Sequence, residues 1–122
     1  MKIYLAIPYS GMGEKSFKIS NEVSAELMNK GHIVFSPISH SHPIAISHNL
    51  PTDWEFWKKF DESFIEWCDE LWVIIVGENG HELCNKSKGV TEEIKIAKSL
   101  NKEVKEISYS EKQIQSTEVY LR

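Results

Sequence analysis

The sequence predicts an α/β fold in which a mainly parallel sheet of four to five strands is covered by helices on both faces. Short β-rich runs alternate with longer segments whose apolar residues have helical spacing. Prolines and glycines fall between these segments, where strands and helices must end. The chain has 122 residues, which fits one domain, so we expect residues 1–122 to fold as a single unit.

The predicted strands are short and mostly apolar. Residues 2–7 form a β-rich run that Pro8 ends, and residues 32–36 form a second run that ends at Pro37. The third strand, 71–76, is apolar throughout, as expected for a strand buried on both faces. The fourth, 103–107, carries charges, which is typical of an edge strand.

The first predicted helix has a recognisable stop. Gly31 follows a segment in which Phe17, Val23, Leu27 and Met28 suggest an apolar stripe, and glycine is the usual left-handed residue after a helix. Asp53 and Ser87 are suitable residues to begin two later helices. The predicted helices cover 14–30, 53–68, 87–100 and 110–120, and the predicted loops cover 8–13, 38–52 and 77–88.

The alternation of strands and helices predicts where a ligand would bind. Parallel strands need right-handed crossovers, and ligands of such sheets lie beyond the carboxyl ends of the strands, where the strand order reverses. The segments that leave the strand ends are 8–13, 37–52, 77–89 and 108 onward.

Composition and charge disfavour several classes of protein. A net charge of −4 lacks the basic footprint of a duplex nucleic-acid binder, and it also disfavours a membrane-surface role. The longest apolar run, 71–76, is too short to span a bilayer. Residues 1–8 show no long apolar signal segment, and two cysteines make no disulfide framework. We therefore expect a cytoplasmic protein with Cys68 as a buried thiol.

Asp61 interrupts the apolar stripe of the helix after Asp53. It lies four residues after Trp57 and three before Phe64, on the same face. Burying an unpaired carboxylate is costly, so an inward aspartate needs a partner or a ligand. A hydrogen bond to a neighbouring loop would satisfy Asp61 as well as a ligand would.

Glu93 repeats this pattern on the next helix. It follows Val90 and precedes Ala97 and Leu100 on one stripe, whereas Glu92 lies about 100° away by the helical period. The helix dipole near the N-terminus would stabilise a negative charge on Glu93, which favours an ionised carboxylate. Acidic residues in a first turn are also common for capping reasons alone.

Three motifs resemble the nucleoside 2-deoxyribosyltransferase superfamily. The first is the opening strand 3–8, the second is the block 61–69 that leads into strand 71–76, and the third is Ser87-x-Gly89-Val90-Thr91-x-Glu93-Ile94. The stretches 36–43 and 53–57 look more similar still to a branch found in bacteria and phages. The resemblance covers residues 3 to about 107 and implies a Rossmann-like or flavodoxin-like domain, often oligomeric, with no cofactor.

The resemblance implies roles for three catalytic residues. Glu93 matches the nucleophile, which attacks the anomeric carbon of the sugar and forms a covalent glycosyl-enzyme. Tyr4 matches a tyrosine beside that glutamate, and Asp61 matches an aspartate that holds the sugar. Further substrate contacts are implied at the motif residues Pro8, Asp69 and Gly89.

Position 87 bears on the choice of substrate. In similar proteins, transferases acting on free nucleosides carry Asp there and hydrolases acting on 5′-monophosphates carry Ser. Ser87 can donate to a phosphate, and the loop with Ser10, Gly11 and Gly13 opens a helix N-terminus, which suits an anion. A nucleotide is therefore favoured over a nucleoside. The first loop lacks the arginine of phosphate-binding relatives, so Lys15 or Lys18 would have to replace it.

The histidines and aromatic residues of the middle segment allow several interpretations. His40 and His42 have a short spacing without an acidic or Cys partner, so pocket or polar-loop roles are favoured over a metal site. Their titration near neutral pH would suit contact with a base or a phosphate. Among the aromatic residues, Trp54 or Trp57 is the best candidate to stack on a base.

Two functions of different classes follow from these observations. The first is an enzyme that hydrolyses or transfers at the N-glycosidic bond of a nucleoside 5′-monophosphate-like substrate through Glu93. The second is a binding protein that sequesters a nucleotide or an NAD-derived signal without turnover. Glu93 and Tyr4 favour the enzyme. The absence of an Asp at position 87, the residue that protonates the leaving base in the transferases, favours the binder.

Overall fold

The computed structural model describes residues 1–110, which form four strands and five helices. The predicted terminal helix over 110–120 lies almost entirely outside these residues. Within them, no helix is long and apolar enough to cross a membrane. In chain order the elements are β1 (Lys2–Ala6), α1 (Gly13–Asn29), β2 (Ile33–Phe35), α2 (Pro37–His48), α3 (Trp54–Trp67), β3 (Glu70–Val76), α4 (Gly80–Lys86), α5 (Lys88–Ser99) and β4 (Glu103–Tyr109).

The sheet is parallel throughout, with the strand order β2-β1-β3-β4. This order is flavodoxin-like, and its reversal falls between β1 and β3. The prediction of an α/β fold with a mainly parallel sheet is confirmed. The charged strand β4 lies at an edge, as its composition predicts.

Two apolar layers sandwich the sheet. On one face, alternate residues of β1 such as Ile3 and Leu5 pack against α1 through Val23 and Leu27. On the other face, Tyr4 and its neighbours pack against residues of α3, α4 and α5. The period-two alternation along β1 therefore sends Tyr4 towards the layer that contains the helices with the buried carboxylates.

The segment 37–48 is a helix, not the loop predicted over 38–52. Ser36 caps it by accepting a hydrogen bond from the Ser39 backbone N–H at 3.2 Å, and Pro37 occupies the first helical turn, where proline is tolerated. Asn49 ends it in the left-handed region at φ 55°. The prolines and histidines concealed this helix because both have low intrinsic helix propensity.

Three further details differ from the prediction. Residues 80–86 of the predicted loop 77–88 form α4. Met28 is exposed, and the inward face of α1 is completed instead by small serines, among them Ser16 and Ser20. Asp53 lies at the N-cap position of α3, but its side chain makes no capping hydrogen bond.

Candidate active site

A cavity of about 250 Å³ opens beyond the carboxyl end of β1. It is bounded by the segment after β1, by α2, by the start of α3 and by the start of α5. The residues that line it are Ile7, Tyr9, Ser10, Pro37, Ile38, Ser41, His42, Ala45, Thr52, Asp53, Trp54, Glu55, Trp57, Asp61, Ser87, Lys88, Gly89 and Glu93.

Glu93 is held at this cavity by the register of α5. Ser87 caps the helix by accepting a hydrogen bond from the Val90 N–H at 3.2 Å. With Val90 and Ala97 buried against the sheet, Glu93 turns to the same face and is only 5% exposed. The hydroxyl of Tyr4 on β1 donates a short hydrogen bond to Glu93 Oε2. The pairing of Tyr4 with Glu93 implied by the resemblance is present in the structure.

Asp61 lies on the same cavity from α3 and is 7% exposed. Its Oδ1 atom is buried, and no hydrogen-bond partner for it is found among residues 1–110. A buried carboxylate oxygen without a partner is costly, which indicates a place where a ligand can donate or accept a hydrogen bond.

Burial changes the protonation of both carboxylates. Desolvation raises the pKa of Asp61 to about 7. Desolvation also raises the pKa of Glu93 to about 8, an effect that the Tyr4 hydrogen bond opposes and the nearby Asp61 charge reinforces. Burial and the adjacent Glu93 raise the pKa of Tyr4 well above its usual range. Desolvation therefore opposes the ionised carboxylate that the helix dipole was expected to favour at Glu93.

The buried Asp61 predicts a pH-dependent cost in stability. Its folded-state pKa of about 7 exceeds the unfolded value of 3.8, so the folded protein binds the extra proton between these values. The free energy of unfolding therefore falls as the pH rises from 3.8 to about 7 and levels off above that. Because asparagine cannot ionise, Asp61→Asn is expected to raise the free energy of unfolding by up to about 4 kcal/mol at pH 8.5 and to change it little at pH 4.

Urea unfolding at the two pH values measures this effect. Glu62→Gln is the matched control, because Glu62 is the next residue of α3 and is exposed. An equal effect of Asp61→Asn at both pH values would contradict a raised pKa in the folded protein.

Tyr9, His42 and Glu14 form a hydrogen-bonded chain at the cavity. The Tyr9 hydroxyl lies 2.6 Å from His42 Nδ1, and His42 Nε2 lies 2.9 Å from Glu14 Oε2. His42 is 7% exposed, and the ring of Phe17 packs against it with centroids 5.0 Å apart. The chain links the first loop, the start of α1 and the middle of α2, so it fixes the wall of the cavity opposite α5.

The cavity brings together part of the predicted substrate-binding set. Five of the predicted substrate-binding residues line the cavity: Ser10, His42, Trp57, Ser87 and Gly89. Pro8, Gly11 and Gly13 lie in the adjoining segment, where Gly11 has a φ of 77° and the Pro8 carbonyl accepts a hydrogen bond from Ser16.

Two predicted substrate contacts lie elsewhere. His40 packs between Phe35 and Phe60, with ring centroids 5.8 and 5.3 Å away, and does not line the cavity. Asp69 precedes β3 at the amino end of the sheet, where it accepts a hydrogen bond from the Lys2 backbone N–H at 2.8 Å. The structure therefore does not place either side chain at the cavity, because Asp69 lies at the amino end of the sheet and His40 packs against Phe35 and Phe60. Within the described range, no group of three His, Cys, Asp or Glu side chains is placed to hold a metal ion.

Tyr9 and Lys88 were not found from the sequence. Tyr9 follows Pro8 in a loop that was interpreted from its glycines alone. Its hydrogen bond is to His42, which is 33 residues away in the sequence. Lys88 is the first residue of α5 and lines the cavity, whereas Lys15 and Lys18 do not. The sequence feature that could have identified Lys88 is its position directly after the predicted N-cap residue Ser87.

The fold and the site together define a protein with a 2-deoxyribosyltransferase-like fold. The structure is similar to a 2-deoxyribosyltransferase from the psychrotolerant bacterium Bacillus psychrosaccharolyticus, with a TM-score of 0.60 and 27% identity over 91% of this chain and 74% of that one. It is also similar in fold to a 2-deoxyribosyltransferase from Leishmania mexicana, with a TM-score of 0.56 and 19% identity over 89% of this chain and 63% of that one. The chain thus spans less than two thirds of the Leishmania protein.

The chain belongs to the family described as a domain of unknown function, DUF1937, whose model matches residues 1–109. No curated protein matches it.

Proposed function

We propose that this protein binds a nucleoside 5′-monophosphate or a closely related nucleoside and breaks its N-glycosidic bond through Glu93. The observation that carries the proposal is the buried Glu93 carboxyl group, hydrogen-bonded by Tyr4 and facing the same cavity as the unpartnered Asp61 oxygen. Two inward carboxyl groups are expensive to bury unless a ligand uses them. The similarity to a 2-deoxyribosyltransferase at 27% identity adds support.

The chemistry begins with ionised Glu93. Tyr4 donates to Oε2, which leaves Oε1 to attack the anomeric carbon as the bond to the base breaks. The resulting glycosyl ester is then cleaved by water or by a second base, and Asp61 hydrogen-bonds a sugar hydroxyl throughout. The raised pKa of Glu93, about 8, makes the carboxylate a stronger base and nucleophile once it has lost its proton.

The start of α5 is suited to the 5′-phosphate. Ser87 uses an acceptor lone pair for its cap, so its hydroxyl proton is available to donate to a ligand. Lys88 follows at the cavity, and its Nζ is 3.9 Å from Glu55 Oε2, a loose and exposed pairing that a phosphate can replace. Backbone N–H groups of the first turn and the helix dipole add to the attraction.

Lys88→Gln is expected to raise KM for a 5′-monophosphate by about tenfold and to leave KM for the matching nucleoside within twofold, because one charge-assisted contact contributes about 1.5 kcal/mol. Steady-state kinetics on both substrates measures the difference. Lys86→Gln is the matched control, since Lys86 is two residues away and pairs with Glu82 at 2.8 Å outside the cavity. Equal effects of Lys88→Gln on both substrates would contradict a phosphate contact.

A second function, sequestration of a nucleotide or an NAD-derived signal without turnover, is favoured by one observation. Glu93 is buried, and desolvation raises its pKa to about 8, which favours the protonated carboxyl group at neutral pH. A protonated carboxyl group donates a hydrogen bond but does not attack carbon.

The deciding experiment incubates the protein with the ribo- and 2′-deoxyribonucleoside 5′-monophosphates, their nucleosides and NAD-derived cyclic nucleotides, with and without an acceptor base. Chromatography then separates free base, exchanged nucleoside and intact ligand. Catalytic release of base supports the enzyme, whereas stoichiometric retention of intact ligand on the protein supports sequestration. Neither release nor retention for any compound would contradict both functions. Light scattering on the same samples measures whether the protein is the expected homo-oligomer.

A further inference from the structure

The Tyr9–His42–Glu14 chain is the largest polar arrangement at the cavity that the Glu93 chemistry does not use. Departure of a base requires a proton on one of its nitrogens, because an unprotonated purine or pyrimidine anion is a poor leaving group. Glu93 cannot supply this proton while it acts as a carboxylate nucleophile. Position 87 carries a serine, which is too weak an acid for the task.

The geometry of the chain is that of a proton relay. Glu14 Oε2 lies 2.9 Å from His42 Nε2, and because a carboxylate oxygen can only accept, that nitrogen carries the N–H that donates to it. The other ring nitrogen, Nδ1, lies 2.6 Å from the Tyr9 hydroxyl oxygen. Because Tyr9 and His42 both line the cavity, the chain runs from the exposed Glu14 side chain to the cavity.

The packing of His42 supports a functional position. The ring is almost fully buried, yet both nitrogens have partners, and its faces contact Phe17 and the edge of Tyr9. A histidine held in this way keeps one orientation relative to the cavity.

We propose that this chain is the general acid for the leaving base. Tyr9 is the catalytic proton donor, and His42 and Glu14 are the residues that position Tyr9 and resupply its proton. This inference rests on the proposed function. As the bond between the anomeric carbon and the base nitrogen breaks, its electron pair stays on the base. The Tyr9 hydroxyl proton passes to the base, and the Nδ1 proton of the His42 imidazolium passes to the Tyr9 oxygen.

The protons balance in this step without formation of a Tyr9 phenolate. Tyr9 ends neutral, His42 ends as a neutral imidazole whose Nε2–H still donates to Glu14, and the base leaves protonated. The water that later cleaves the glycosyl ester releases one proton, which reloads His42. A tyrosine that acted alone would have to become a phenolate, which burial and the nearby Glu14 charge disfavour because they raise the pKa of Tyr9.

The test compares two leaving groups. A natural base must be protonated, whereas the 4-nitrophenolate of a 4-nitrophenyl 2-deoxyriboside 5-phosphate leaves without a proton. We expect Tyr9→Phe and His42→Asn to lower kcat for the 2′-deoxyribonucleoside 5′-monophosphates by about 10²–10⁴-fold and kcat for the nitrophenyl substrate by less than threefold. The nitrophenyl reaction also shows that each variant is folded.

Tyr109→Phe is the matched control. It removes the same kind of hydroxyl, one that donates to Glu22 Oε2 at 2.8 Å, from the core layer between α1 and the sheet and away from the residues that line the cavity. Equal losses on both substrates for Tyr9→Phe, or none on either, would overturn the relay while leaving the proposed function intact. A wild-type protein that cleaves neither substrate would overturn the relay and the proposed cleavage together.

Discussion

Glu93→Gln is expected to lower the rate of glycosidic cleavage by at least about 10³-fold. Glutamine preserves the shape of the side chain and can still accept the Tyr4 hydrogen bond, but its amide is not a nucleophile towards carbon. Single-turnover release of base measures the rate, and mass spectrometry of the quenched wild-type reaction measures the glycosyl adduct. We expect the adduct in the wild type and its absence in the variant.

Glu92→Gln is the matched control for this prediction. Glu92 is the preceding residue of α5 and pairs with Lys95 at 3.0 Å outside the cavity, so its loss should change the rate less than twofold. In the wild type, kcat/KM should rise as the pH increases through about 8, because only the ionised form of Glu93 attacks. Full activity of Glu93→Gln would overturn the assignment of the nucleophile.

Gly80→Ala is expected to lower the free energy of unfolding by roughly 2–4 kcal/mol. A Cβ at Gly80 would lie 2.4 Å from Ile75 Cγ2 and 2.9 Å from the Ile75 carbonyl carbon. The second of these atoms belongs to the backbone of β3, which has a strand paired on each side and cannot shift freely. The strain exceeds the gain of about 1 kcal/mol that alanine brings to a helix. Urea unfolding measures the loss.

Gly89→Ala is the comparison variant for stability. Gly89 is also near the start of a helix, but the nearest atom to its added Cβ is Ser87 Oγ, at 3.9 Å. The greater helix propensity of alanine should therefore leave Gly89→Ala as stable as the wild type or slightly more stable. If Gly80→Ala unfolds at the same urea concentration as Gly89→Ala, then α4 does not pack as closely on β3 in solution as the distances at Gly80 indicate.

The fold was largely predictable because its strands carry a strong local signal. The apolar runs in β1 and β3, with Pro8 and Gly31 nearby, locate elements whose type does not depend on distant residues. The helix α2 was missed because its stability comes from packing on α1 and from the Ser36 cap, while its own composition opposes helix formation.

The site was predictable where helical register decides it. Asp61 and Glu93 are each found by counting along one helix, and their burial confirms the count. The Tyr9–His42–Glu14 chain was not predictable, because three elements bring its members together. The raised pKa of Glu93 was not predictable for a related reason: the helix dipole can be inferred from the sequence, whereas desolvation depends on the packed structure.

The hydrogen bond from Tyr4 to Glu93 has a consequence for the order of events during synthesis. It joins residues 89 positions apart, from the first strand to the last helix of the described chain. A nascent chain that has already paired β1 with β2 still lacks Glu93, the proposed nucleophile, and contacts between residues so far apart in sequence form slowly. The cavity should therefore acquire its paired Tyr4 and Glu93 only after the helix α5 has been synthesised and has packed on the sheet.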